Sequence, residues 1–529
     1  MIRAHSEIVR TNSFSASMAD GDDLLQEGTA GDIFRKLGAE PIINCTGVRT
    51  LYGGGNPTEA VIAAMNLASR AFVDLNELAE AIGRKLASLT GAEWGFVTAG
   101  SVAALSQAIA ACVAGNDPEK MKKLPLQRGK MVVVAADQRM PYEAAIRAVG
   151  CTVTAIKRAS DLDDMPLEDI VAICLVGHDI PTSALPFEQM AKRAKGYRIP
   201  LIVDAAGLAP TFPNTWLLNG ADLLIHSGGK YIRGPQSTGF LLGSKRLCRA
   251  AYLNGPPGQS FGRSMKVGKD EIVGAYVALE QWVAGGEAAR AMNRWRACIA
   301  ELEHEFLRLP ELFVERIEPD SAFCNPRIAV SWDRATFPIC SQVIAERLSR
   351  ALPRIILHDY WHAPQRIVVD PTNLTLNEAK IVGRSIVREI AAPSELAVLP
   401  AKEALNVSGH WELSVEFLHG AATHEFVLFQ DGQTIAGNHF GTEVSGVCHG
   451  TIVGPSLTLI SRLPGDPMGL DYEFEGILHS DLLTGVVHLG ASTPKHNGLS
   501  FRRQFGHANW SGRRVGTSNN SKGGDNASC

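Results

Sequence analysis

The chain reads as an α/β protein followed by an antiparallel β unit, on three observations. Between Ile33 and about residue 284, short β-branched apolar runs alternate with alanine-rich stretches of helical period, the pattern of parallel strands joined by helical crossovers. From about residue 287 to 390, longer helical patterns flank a few strands. Beyond Leu405 the helical period disappears and short strand-like segments recur between turns, which predicts an up-and-down meander or small barrel of about a hundred residues.

Residues 1–30 are polar and aperiodic, and a disordered amino-terminal segment is expected there. In the large unit, 31–286, the runs 131–135, 170–176 and 201–203 are apolar enough for buried strands, while 101–114 and 142–149 have helical spacing. A smaller α/β unit, 287–392, is expected to hold a long helix at 288–309, a strand at 327–331 and a closing helix at 376–390. Pro393 and Pro400 bracket a linker, 393–404. In the β unit, 405–510, strands are expected at 411–417, 425–429, 456–460 and 482–489, with turns at Asp431-Gly432, Gly441 and Gly454-Pro455. The tail, 511–529, is rich in Ser, Gly and Asn and is expected to be disordered.

At 529 residues the chain is too long for one ordinary core. Its 45% hydrophobic and 20% charged residues are ordinary for a globular protein. A net charge of -4 supplies no basic field, so neither nucleic acid nor an anionic membrane is an expected partner. No apolar run approaches about 18 residues and the amino terminus lacks an apolar leader core, so no membrane span or secretory signal is expected. The ten cysteines include no Cys-x-x-Cys pair, which fits a reduced, cytoplasmic setting. Nine of the 15 histidines fall after residue 400, but without His-x-His or His-x-x-Glu spacing, and no metal site is expected.

The chemistry concentrates at Lys230, in the turn Ser227-Gly228-Gly229-Lys230, 26 residues after Asp204, which ends the apolar run 199–204. An amine on a tight loop and a carboxylate at a strand's carboxyl end are the two groups pyridoxal phosphate requires, one to bond its aldehyde and one to hold its ring nitrogen protonated. Taken singly, Asp204 reads more readily as a helix cap or a solvated strand-end carboxylate, and Lys230 as a surface lysine. Their neighbours favour the functional reading: Ala205-Ala206-Gly207 leaves space beside the carboxylate, and the lysine turn lies between two apolar runs. Upstream, a strand-like end at Phe96-Val97-Thr98 meets a small-residue turn and a helix start at Gly100, Ser101 and Val102, where N–H groups and the helix dipole favour a phosphate. For a substrate carboxylate the planar fork of arginine is the expected partner, and Arg233, Arg354 and Arg366 are the candidates.

Four segments carry a family likeness: IINCTG at 42–47, TAGSVAAL at 98–105, IVDAAG at 202–207 and HSGGKYIRGPQSTG at 226–239. In this order they resemble the fold-type I pyridoxal-phosphate-dependent enzymes. Within that group the chain resembles the branch of bacterial selenocysteine synthase and D-glucosaminate-6-phosphate ammonia-lyase, over roughly 31–390. The resemblance implies a large, mostly parallel-sheet domain plus a small α/β domain, to which the antiparallel β-barrel-like unit is added. It implies that Lys230 bonds the cofactor, Asp204 faces the ring nitrogen, and Gly100, Ser101, Val102 and Ser227 hold the phosphate. It also places Gln138 over the ring and has Thr238 reach the phosphate from a neighbouring subunit, in a homodimer or larger homo-oligomer with shared active sites.

The activity implied is α,β-elimination of ammonia-lyase type on a small hydroxylated 2-amino acid, sugar-derived ones included. Two alternatives stand beside it: selenium transfer on seryl-tRNA, and a non-catalytic pyridoxal-phosphate protein whose β unit is a binding module. The branch's Gly-Asp-Lys is Gly-Gly-Lys here, a departure that sets the chain nearer the ammonia-lyase side.

Overall fold

The computed structural model describes residues 31–515 apart from 128, 322, 359–362, 393–404, 466, 493–499 and 502–503. The expected disorder of 1–30 and the linker at 393–404 lie outside the described residues, as does 516–529.

The first strand, β1 (Ile42–Cys45), stands apart from the large sheet that follows it. That sheet comprises β2 (Trp94–Thr98), β3 (Met131–Ala135), β4 (Thr152–Ile156), β5 (Ile170–Val176), β6 (Leu201–Asp204), β7 (Leu223–Ser227) and β8 (Gly239–Gly243). The spatial order is β2-β8-β7-β6-β5-β3-β4, and β8 alone runs antiparallel to its neighbours. Helices cover both faces, so β2, β6 and β8 are buried at every position. Alternate residues feed two cores: Val133, Ile173, Leu175 and Val203 on one face, Val132, Val134, Cys174 and Ile202 on the other. The alanine-rich helix Gly100–Ala114 is buried along most of its length because its small side chains let it lie against the second face.

The smaller unit contains β9 (Phe313–Ile317), β10 (Arg327–Ser331), β11 (Arg354–Leu357) and β12 (Arg366–Val369). Three of these form an antiparallel sheet in the order β12-β10-β9, while β11 pairs in parallel with β1. The segment 42–45, which falls in the range 31–286 read as the large domain, thus contributes its strand to the small one. Its sequence IINC suits any half-buried strand, and only tertiary contact selects the partner. The helix Glu287–Phe306 joins the two units: Ala291 and Trp295 pack into the large-sheet core, while Ile299, Leu302 and Phe306 pack into the small unit's core.

The carboxy-terminal unit consists of β13 (Gly409–Phe417), β14 (Gly420–Asp431), β15 (Thr434–Phe440), β16 (Ser445–Val453), β17 (Ser456–Leu463), β18 (Gly469–His479), β19 (Leu482–Ser492), the short β20 (Ser500–Phe501) and β21 (His507–Arg514). Strands β13 to β18 pair in sequence; β18 then pairs with β19, β19 with β21, and β21 with β13, closing an eight-stranded antiparallel barrel. The expected tail begins too early at 511, because β21 continues to Arg514. Its polar residues are ordered by ladder pairing on both sides and by Arg514 Nε donating to Asp481 Oδ1 at 2.8 Å, which hydropathy does not reveal.

Trp411, Phe426, Phe474 and Trp510 fill the barrel, yet two imidazoles and a hydroxyl lie among them. His424 Nδ1 is 2.8 Å from His439 Nε2, and His439 Nδ1 is 2.7 Å from Ser461 Oγ, so the buried groups satisfy one another. Burial lowers the pKa of both histidines, that of His439 to about 3. Groups whose folded pKa is depressed stabilise the fold above the unfolded value of about 6.5 and lose that stabilisation as pH falls below it. Among the described residues, no helix is long and apolar enough to cross a membrane.

Acidification from pH 6.5 to 4 should therefore destabilise the barrel, His439 alone contributing on the order of 3 kcal/mol over that span. Hydrogen-exchange mass spectrometry on peptides from 409–515 of the full chain should show the loss; unchanged protection would contradict a neutral buried pair.

Candidate active site

Lys230 and Asp204 lie at the carboxyl ends of neighbouring strands. Asp204 ends β6, and Lys230 sits in the loop between β7 and β8. Asp204 is buried, and its Oδ1 accepts the Ala206 N–H at 3.0 Å. Burial raises its pKa from the ordinary carboxylate value, against the opposing pulls of that N–H and the Lys230 charge. The reciprocal effect acts on Lys230: burial lowers the pKa of its amine, while Asp204 and then Cys324 act in the opposite direction. An amine so placed loses its proton more readily than a surface lysine, as attack on an aldehyde requires.

The turn before the lysine is held by backbone contact. Gly228 N–H donates to Thr238 O at 2.8 Å, and a Cβ on Gly228 would stand 2.1 Å from Thr238 Oγ1. Ser227 ends β7 opposite Gly239 of β8, and Gly239 in turn pairs with Thr98 of β2. Thr98 Oγ1 donates to Gly100 O at 2.9 Å, and Gly100 has φ +80°, which a residue with a Cβ adopts only under strain. The helix start at Gly100, Ser101 and Val102 is thereby brought against the 237–239 segment, where a Cβ on Gly239 would stand 2.6 Å from Ser101 N.

The other expected site residues make contacts within their own chain. Thr238 is wholly buried in its own chain, with Oγ1 donating to Pro235 O at 2.7 Å. Gln138 is buried as well; its Oε1 accepts the Val176 N–H at 2.8 Å at the end of β5, and its Nε2 has no hydrogen-bond partner among the described residues. Arg366 pairs with Glu315 at 3.0 Å, and Arg354 Nε donates to Ser349 O at 3.0 Å, so both serve contacts within the small unit. Arg233 is half-buried in the left-handed region at φ 58°, with Nε donating to Asn56 O at 2.7 Å and no carboxylate within salt-bridge distance among the described residues.

Other residues of the site were missed in the sequence. Tyr142, in the short 3-10 turn 141–143 that follows Gln138, has its pKa raised by partial loss of solvent and by the nearby Asp204 charge, with Arg49 opposing. His178 follows β5, its Nδ1 3.1 Å from where a Cβ on Gly207 would stand, so an imidazole occupies part of the space that Ala205-Ala206-Gly207 leaves. Beneath the lysine, the Tyr231 hydroxyl meets Asn325 Oδ1 at 3.4 Å and the thiol of Cys324. No motif marks these positions, because long-range folding alone brings them to residues 204–231.

The residues present fit pyridoxal phosphate. A buried carboxylate with one backbone donor suits a protonated ring nitrogen, a desolvated amine suits its aldehyde, and a helix start at a side-chain-free turn suits its phosphate. Fold and site together define a pyridoxal-phosphate-dependent enzyme of fold type I. The chain is 27% identical over 371 residues to a 5'-C-glycyluridine monooxygenase-decarboxylase of a Streptomyces species, covering 67% of this chain and 90% of that one. It is 29% identical over 270 residues to the D-glucosaminate-6-phosphate ammonia lyase of Salmonella typhimurium, covering 48% and 71%. A solved D-glucosaminate-6-phosphate ammonia-lyase superposes with a TM-score of 0.58 at 25% identity, covering 68% of this chain and 97% of that one. No family model matches the chain.

Lys230→Ala should abolish covalent attachment of the cofactor, measured as the added mass after borohydride reduction. In the unsubstituted apoenzyme, the attachment rate should rise with pH and reach half its plateau below pH 10.5, the ordinary value for a lysine, since burial lowers this amine's pKa. A half-maximum at or above that value would remove the argument from desolvation. Gly228→Ala should lower thermal stability and cofactor affinity, the latter at least about tenfold, as overpacking of a tight turn predicts.

Proposed function

We propose that the chain is a lyase of the ammonia-lyase type that eliminates across Cα and Cβ of a hydroxylated 2-amino acid to give a 2-keto acid and ammonia. The observation that carries this reading is the combination of 29% identity to the Salmonella ammonia lyase with the superposition on a solved ammonia-lyase. When bound, pyridoxal phosphate supplies an electron sink for the bond broken at Cα. Lys230 Nζ, made less basic by burial, takes the Cα proton and returns it to the Cβ hydroxyl, which leaves as water; addition of one water to the released enamine, after its tautomerisation to the imine, then gives the keto acid and ammonia. Asp204 keeps its negative charge against the ring nitrogen and so holds a proton there. The N–H groups at Gly100, Ser101 and Val102 hold the phosphate, with Ser227 beside them. Arg233 is the best placed of the three arginines to receive the substrate carboxylate.

The Streptomyces relative supports a second reading, oxidation with decarboxylation, because its match extends over more of both chains. The two readings differ in their use of dioxygen. With a panel of D- and L-hydroxyamino acids including aminosugar acids, elimination yields keto acid and ammonia in equal amounts without oxygen uptake. Oxygen consumption matched by carbon dioxide release, with no keto acid, would replace the lyase reading by the second one. Asp204→Ala should lower kcat by about 10²-fold or more, as expected when a buried electrostatic partner of the reacting centre is removed, and should weaken cofactor binding; an undiminished kcat would refute its role.

A further inference from the structure

A cavity of about 360 Å³ lies between the loop that follows β5 and the starts of two helices, Phe187–Tyr197 and Thr215–Leu218. None of the residues assigned above to cofactor or substrate lines it. Its apolar surface includes Ile180, Pro181 and Trp216. The indole is held in place: a Cβ on Gly177 would stand 2.9 Å from Trp216 Cη2, and Asn214 Oδ1 accepts the Trp216 backbone N–H at 3.0 Å. The polar side chains of the lining supply mainly acceptors. Ser183 Oγ gives its one proton to Asp137 Oδ1 at 2.8 Å and accepts the Leu185 N–H at 3.1 Å, which leaves one lone pair. Asn219 Nδ2 donates to Thr215 O at 2.8 Å, and its carboxamide oxygen has no hydrogen bond among the described residues. Glu188 is the one charged residue of the lining, and no cation among the described residues pairs with it.

We propose that this cavity binds a small organic ammonium ion, with its apolar body on Trp216 and its N–H donors on Glu188, Ser183 and Asn219. The sign of the charge follows from the groups present. The start of the helix Phe187–Tyr197 carries about half a positive charge from its dipole, and the full negative charge of Glu188 in its first turn outweighs that. Asp137 adds a second carboxylate one hydrogen bond behind Ser183. The volume sets the size: an apolar cavity of about 150 Å³ accepts benzene, so this one accommodates a ring with a short aminoalkyl arm. Trp216 offers its face both to such a ring and to a cation beside it. A carboxylate in the same place would meet Glu188 and two oxygen acceptors, and a neutral alcohol would leave Glu188 without a charge partner.

The test is calorimetric titration of the cofactor-loaded full chain with phenethylamine, phenethyl alcohol and phenylacetate, three probes of one body and different charge. Borohydride reduction beforehand fixes the cofactor to Lys230, so that the amine probe cannot exchange there. The expected result is one phenethylamine per chain, the alcohol weaker by at least about fivefold for the lost charge-assisted hydrogen bonds, and no phenylacetate binding. Glu188→Gln should cut the preference for amine over alcohol to less than about twofold. Trp216→Leu should weaken amine and alcohol alike by at least about fivefold for the lost aromatic surface. The proposal is overturned by the alcohol or phenylacetate binding as tightly as the amine, by an unaltered preference in Glu188→Gln, by undiminished affinity in Trp216→Leu, or by no binding of the amine at millimolar concentration. Should Trp216→Leu fail to fold, Glu188→Gln, a change at an exposed position, alone decides.

Discussion

Three stretches of backbone, 53–56, 227–230 and 234–239, approach so closely that side chains have no room between them, and the position of the reactive lysine depends on this contact. Gly55 N–H donates to Gly229 O at 2.9 Å. A Cβ on Gly54 would stand 2.4 Å from that same oxygen, and one on Gly229 would stand 2.4 Å from Gln236 Cα. Asn373 fastens the first stretch from the small unit, donating through Nδ2 to Gly47 O at 2.8 Å and to Gly54 O at 2.9 Å. The main chain at Lys230 is therefore set by both α/β units, and neither alone supplies all its contacts.

That rigid frame lets the chain hold opposite charges out of water. Burial opposes ionisation of both Asp204 and Lys230, and each is the other's electrostatic relief. A carboxylate and an amine so placed form a polarised slot, in which a cationic ring nitrogen and an aldehyde meet complementary groups already in position. Asp370 repeats the arrangement nearby: a buried carboxylate raised in pKa by burial, held by Thr372 and Asn325, and felt by Arg327. The small unit's contacts thus reach to within two residues of the lysine through Tyr231 and Asn325.

Much of this was legible in the sequence, and the boundary of legibility has a physical cause. Strands buried on both faces declare themselves as continuous apolar runs, and β3, β5 and β6 lie where those runs are. Lys230, Asp204 and the Gly100 turn were visible because special backbone geometry demands glycine and small residues beside them. What stayed hidden was partnership across distance. Nothing in IINC says that β1 joins β11, and nothing in Arg366 or Arg354 says that Glu315 and Ser349 occupy them. Gln138 and Tyr142 stand four residues apart, and Gln138 turns inward to the buried end of β5, where its Oε1 accepts the Val176 N–H.

The ring closure of the last eight strands limits how that unit deals with other molecules. Among the described residues, every strand from β13 to β19, together with β21, has a neighbour on each side, so apart from the two-residue β20 no row of open amides and carbonyls is left along a flank for a foreign segment to zip onto. Whatever this appendage meets, it must meet through side chains on its wall or through the turns at its two mouths. Sequence change there can alter partners freely while the hydrogen-bonded hoop beneath stays intact.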